Sequence, residues 1–110
     1  MAEKPVIMLV GTSIPTFGSP EKTAQYTDWY KKVHMPLALK APGMLRATFY
    51  QCIDPKKEYP AFLCVYELES KQVVAKAMQS PEMLKASKDG AENGPSHGMV
   101  VRWHVFYEPV

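Results

Sequence analysis

Residues 28–44, DWYKKVHMPLALKAPGM, place a histidine at the end of an aromatic helical run and a proline two positions after it. Upstream, Tyr26, Trp29, Tyr30 and Val33 recur at i, i+3, i+4 and i+7, so one side of a helix over about 20–33 is aromatic and apolar. Lys22, Gln25, Asp28 and Lys32 take most of the other side. Pro36 disfavours helical geometry at Met35, so the regular helix is expected to stop or kink near His34. The segment PLALKAPG adds one further turn before Gly43 ends it.

Working outward, the tripeptide Ser-Pro-Glu occurs at 19–21 and again at 80–82. Each reads as a helix start: the Ser hydroxyl accepts from an orphan N–H, Pro suits the first helical position, and Glu favours the positive end of the dipole. The second opens a short helix, 81 to about 88. A longer helix over about 70–79 precedes it, with Val73, Val74, Ala77 and Met78 as its stripe and Ser70 as its N-cap. Four strands are expected, at 6–10, 45–53, 61–68 and 99–107. The segment DPKKEYP reads as a charged surface loop, and SKDGAENGPSHG as a long, Gly- and Asn-rich mobile loop.

The resulting order β-α-β-β-α-β predicts an α+β, ferredoxin-like domain spanning residues 1–110, with helices on one face of a four-stranded antiparallel sheet. Right-handed crossovers put the first and third strands in the middle. Helices cover only one face, and the opposite face is expected to show Val6, Met8, Val10, Phe62, Tyr66 and Phe106. An apolar face of that size marks an interaction surface, and a second copy of the same sheet is its simplest cover, which predicts a homodimer.

Composition excludes several classes. A net charge of +2, with Lys and Arg scattered among Asp and Glu, leaves no basic stripe for nucleic acid. No apolar run approaches a membrane span. The five apolar residues before Gly11 read as a first strand rather than a signal peptide, which points to a cytoplasmic location. Cys52 and Cys64 fall in neighbouring strands and read as two small buried hydrophobes, not as a redox pair.

The segment DWYKKVHMPLALKAPGMLRATFYQ resembles the EthD family of the dimeric α+β barrel superfamily. The likeness rests on the aromatic pair Trp29-Tyr30, the basic Lys31-Lys32, His34, Pro36 and Pro42-Gly43. The stretches YPAFLCVYELES and MQSPEMLKASKD resemble the second half of the same family. The resemblance implies dimers with sheets packed face to face, and a small apolar cavity between sheet and helices holding one or two polar side chains. Superfamily members include cofactor-independent oxygenases, cyclases, isomerases and haem-binding enzymes, and fold alone does not choose among them.

His34 is the candidate catalytic residue. At a helix C-terminus the dipole favours its protonated ring, and imidazole moves protons near neutral pH. Its plainer role is to donate to the last helix carbonyls and pack on the sheet. Trp29, Tyr30, Phe49, Tyr66 and Trp103 are the candidate substrate-binding side chains, although Trp103 also reads as core. Tyr50, Tyr66 and His104, from three strands, otherwise read as amphipathic residues lining a dimer interface. His97 reads as solvated, and its loop as a lid hinged at Gly90, Gly94 and Gly98. The three histidines lack metal-ligand spacing, and neither GxGxxG, P-loop nor GxSxG is present, so no metal and no cofactor is expected. Haem through His34 stays open. The expected function is that of a small cofactor-independent enzyme, or an enzyme-like auxiliary, acting on an apolar small molecule with His34 as acid–base. The alternatives are a non-catalytic small-molecule binder and a structural dimer.

Overall fold

A computed structural model describes residues 4–54, 56 and 58–110. Strand β1 runs Val6–Ser13, helix α1 Pro20–Trp29, a π-helical segment Tyr30–His34, α2 Met35–Leu39, β2 Met44–Gln51 and β3 Phe62–Leu68. Helices α3 Val74–Gln79 and α4 Pro81–Asn93 follow, and β4 Val100–Tyr107 closes the sheet. All the strand pairs are antiparallel, in the order β2-β3-β1-β4, so β1 and β3 are central as expected.

Both Ser-Pro-Glu tripeptides start helices by the expected chemistry. Ser19 Oγ accepts from the Lys22 N–H at 3.3 Å and Ser80 Oγ from the Met83 N–H at 3.1 Å. The expected helix over 70–79 is present as a 3-10 turn, Lys71–Val73, running into α3, but Ser70 does not cap it: its buried hydroxyl finds no partner among the described residues. The charged loop falls partly outside the described residues, at positions 55 and 57. Cys52 and Cys64 are both free and do not face each other, because the register sets Cys64 opposite Phe49 while the Cys52 N–H bonds the Ala61 carbonyl.

The face assignment is corrected. Val6, Met8, Phe62 and Tyr66 are buried in the core, on the helix side. Val10 and Phe106 share that side by register, with Phe106 exposed on the edge strand. The open face instead carries Ile7, Leu9, Leu63, Val65, Trp103, Val105 and Tyr107. Period-two alternation decides which residues share a face, and the central strands are apolar on both, so it cannot choose the face that the helices take. The open sheet face nevertheless remains apolar, as expected.

One helix is refined and one loop is corrected. As expected, the regular helix is interrupted up to His34 and one further turn follows, but the interruption is a π segment and not a stop: the Met35 N–H reaches back to the Tyr30 carbonyl, and the chain stays helical to Leu39. A π turn absorbs the extra residue where Pro36 cannot donate and would crowd the carbonyl four positions back. The expected mobile loop is largely helix, since α4 extends to Asn93. Asp89-Gly90 resembles turn chemistry, but burial of Met83, Ala86 and Asp89 along one stripe carries the helix through it. Gly43, as expected, ends the helical rod: its φ is +87°, and a Cβ there would lie 2.6 Å from Val73 Cγ2.

Candidate functional site

The rod from α1 through α2 lays Tyr26, Tyr30, His34 and Ala38 toward the sheet at four-residue intervals. In a regular α-helix that spacing drifts steadily around the axis. The π segment takes more residues per turn and offsets the drift, so Tyr30, His34 and Ala38 all reach one cavity. Tyr30 is clamped behind by Phe49, whose ring stacks on it with centroids 4.3 Å apart, and Phe49 stacks in turn on Phe62 at 5.5 Å.

The cavity measures about 400 Å³, within the range of small-molecule sites. Its sheet floor is Met8, Val10, Tyr66, Val101 and His104, and its α4 wall is built from Met83, Ala86, Ser87, Gly90 and Ala91. It adjoins the edge strand β4, which is exposed along its whole length.

His34 lines this cavity and pairs with Asp89 of α4. His34 Nδ1 lies 3.0 Å from Asp89 Oδ2, with the two side chains 16% and 8% exposed. The other oxygen, Oδ1, accepts from Asn93 Nδ2 at 2.6 Å and from Trp29 Nε1 at 3.4 Å. A carboxylate oxygen accepts, so the pairing keeps a proton on Nδ1, and in the neutral tautomer this leaves Nε2 with the free lone pair. Gly90 makes the approach possible: a Cβ there would stand 3.1 Å from His34 Cε1. Trp29 lies between two imidazoles, 5.2 Å from His34 and stacked on His97 at 5.3 Å, so His97 is half-buried packing rather than a solvated side chain.

The second polar group is a pair of phenols. Tyr30 and Tyr66 both line the cavity, and both are almost fully buried. The Tyr30 hydroxyl is closed off from solvent without a partner in bonding geometry among the described residues. A buried polar group left this way costs about 1–3 kcal/mol. Burial pushes the Tyr30 and Tyr66 phenols well above their ordinary range; Tyr66 and Cys64 add to the rise at Tyr30, and Cys64 to that at Tyr66, which Tyr30 partly opposes. Burial also raises the Cys64 thiol to about 11. These groups therefore stay protonated near neutral pH and serve as donors, not as nucleophiles.

Of the residues singled out from sequence, His34, Tyr30 and Tyr66 line the cavity. Trp29 sits behind His34 and bonds its partner Asp89, while Phe49 backs Tyr30. Trp103 does not join them: register places it opposite Gly11 on the open face, 40% exposed, so it is neither core nor cavity wall. Tyr50 also lies on that face, whereas His104 reaches the cavity floor. Asp89 was hidden in the sequence by its position in an expected loop. The helical spacing of Met83, Ala86 and Asp89 is the signal that finds it. Among the described residues, no three of His, Cys, Asp and Glu are placed to share a metal ion. No helix among them is long and apolar enough to cross a membrane.

Architecture and topology define an α+β protein with the ferredoxin-like fold. Solved structures share it over nearly the whole chain. An EthD family protein from Bacillus halodurans C-125 is 14% identical, with coverage of 97% of this chain and 99% of that one and a TM-score of 0.65. A dimeric protein of unknown function and ferredoxin-like fold from Bacteroides fragilis NCTC 9343 is 18% identical, with coverage of 99% and 100% and a TM-score of 0.66. SnoaB, a cofactor-independent oxygenase from Streptomyces nogalater, is 11% identical, with coverage of 97% and 94% and a TM-score of 0.63. At these identities the likeness is one of fold, and it agrees with the fold that the EthD resemblance implied. No family model matches the sequence, and no curated protein matches it.

Proposed function

We propose that the protein is a homodimeric, cofactor-independent enzyme acting on an apolar small molecule, with His34 Nε2 as the acid–base group. The observation that carries this is the largely buried His34 imidazole on the wall of a cavity otherwise lined mainly by carbon, paired at 3.0 Å with the buried Asp89 carboxylate. Asp89 orients the ring and stabilises it once it takes a proton, as an acceptor on Nδ1–H does for any imidazole base. Removal of a proton from an activated C–H or O–H is the step that ring closure through an enolate and reaction of a carbanion with dioxygen both require. The fold also carries a cofactor-independent oxygenase, SnoaB, which agrees with this class.

The homodimer rests on the open apolar face, which a second copy covers by a two-fold axis, and on the dimeric Bacteroides fragilis protein of the same fold. A single domain in a reducing cytoplasm, where Cys52 and Cys64 remain thiols, belongs to the same reading.

The test is solvent deuterium exchange, followed by NMR, into a panel of apolar compounds bearing activated C–H bonds. Wild type is expected to catalyse exchange for at least one compound. His34→Ala and His34→Gln should lose it by a factor on the order of 10²–10⁴ with the dimer mass unchanged. Exchange that survives in both variants, with only the melting temperature lowered, would make His34 a packing residue. Binding without exchange in wild type would make the protein a binder rather than a catalyst.

A further inference from the structure

The buried floor of the cavity has a polarity that the His34–Asp89 pair does not use. Tyr66 projects from β3 on the helix side, between Met8 and Ala47 in register, and is 1% exposed. Its hydroxyl neighbours Tyr30 and Cys64. The Tyr30 ring cannot swing its hydroxyl elsewhere, because it is stacked on Phe49 and packed against Tyr26 at 5.9 Å. Its orphaned O–H has the Tyr66 oxygen and the Cys64 sulfur as neighbours, and of the two the oxygen is the stronger acceptor. With the Tyr30 O–H directed at the Tyr66 oxygen, the Tyr66 proton has two acceptors to choose from: the Cys64 sulfur, which accepts weakly, or an oxygen placed in the cavity that Tyr66 lines. Ser87 and His104, the other polar side chains that line the cavity beside His34, are exposed to solvent.

We infer that Tyr66, backed by Tyr30, is the hydrogen-bond donor of the cavity, and that its ligand is an apolar ring compound with a carbonyl oxygen on Tyr66 and an acidic α-C–H toward His34. This rests on the reading of His34 as the base and adds the substrate class. The proton passes from the α-carbon to Nε2, and the C–H bonding pair becomes the new C=C bond of an enolate. The negative charge then sits on the oxygen that accepts from Tyr66. A neutral buried donor is matched to that developing charge, because it binds the oxyanion more strongly than the ground-state carbonyl. Both phenols remain in the donor form across the neutral range, since burial opposes their ionisation.

A matched pair of probes tests the assignment: 2-tetralone, an enolisable ketone, and tetralin, the same bicyclic skeleton without oxygen. Calorimetric titration of wild type should show about tenfold tighter binding of 2-tetralone, the worth of one good hydrogen bond. Tyr66→Phe should bring 2-tetralone down to the affinity of tetralin while leaving tetralin binding intact, which also shows that the variant is folded. Exchange of the α-protons of 2-tetralone should slow by about a hundredfold in Tyr66→Phe, as for loss of one oxyanion donor. His34→Gln should lose exchange yet keep the preference for the ketone. Equal affinity of wild type for the two probes, or a preference that persists in Tyr66→Phe, overturns the donor role while the cavity stands as a binding site. Failure of both probes to bind overturns the cavity reading together with it.

Discussion

His34 and Asp89 are 55 positions apart in sequence, yet their side chains meet at 3.0 Å, with the Asp89 carboxylate bonded on its other oxygen by Trp29 and Asn93. The carboxylate is therefore a hub that holds the imidazole, the indole and the end of α4 in one arrangement. Asp89→Asn keeps the shape and removes the charge. It should cut α-proton exchange by about 10²-fold or more, because an amide can donate to Nδ1 and turn the ring into the wrong tautomer. Exchange within a few-fold of wild type, measured by NMR, would show that Asp89 does not set the tautomer.

Gly90→Ala separates stability from activity. Within a helix, Ala is favoured over Gly by about 1 kcal/mol. Here the new Cβ would stand 3.1 Å from His34 Cε1, so the ring must give by a few tenths of an ångström. The melting temperature should hold or rise while exchange falls about tenfold, since the base is displaced from its substrate. A variant that is both as stable and as active as wild type would show that the close approach has no bearing on the site.

The buried phenols and thiol predict an alkaline limit. Burial raises Tyr26 from 10.0 to about 12 and Cys64 from 9.0 to about 11, and lifts Tyr30 and Tyr66 above their ordinary range as well. The fold favours the neutral forms of these groups, whose folded values lie above the unfolded ones. Their contribution is complete below the unfolded values and is lost as pH rises through the folded ones. Calorimetry should show a melting temperature unaffected by these groups up to about pH 9 and falling between about pH 9 and 12. Tyr26→Phe should make the fall shallower. It should also cost about 1–3 kcal/mol at neutral pH, because Thr12 Oγ1, 2.5 Å from the Tyr26 hydroxyl, loses its partner.

Light scattering tests the dimer. Wild type should run at about twice the 12.4 kDa of the chain, and Val65→Glu, in the middle of the open face opposite Leu9 and Thr48, should bring it to the single-chain mass. A charge placed there would have to be desolvated at the interface, and that cost outweighs what one Val contributes. A wild-type monomer would leave the open face for some other partner.

Much of the architecture could be read from local pattern. The order of elements, both Ser-Pro-Glu helix starts, the central strands and the aromatic stripe of Tyr26 and Tyr30 all follow from interactions within a few residues. Capping, rotamer sterics and hydrophobic period act at that range. His34 was visible for the same reason, as an ionisable group on the line of that stripe.

The docking of faces, by contrast, was settled only in three dimensions. The central strands are apolar on both sides, so the side that the helices cover, and with it the exclusion of Trp103 from the cavity and the entry of His104, depends on how whole layers pack. Asp89 lay in a segment whose Gly and Asn content outweighed its weak apolar spacing, until the sheet made helix worthwhile there. The sequence by itself thus determined which side chains travel together. Tertiary structure decided which of them meet, because periodicity acts along the chain, whereas a contact such as His34–Asp89 exists only after two helices have packed on a common sheet.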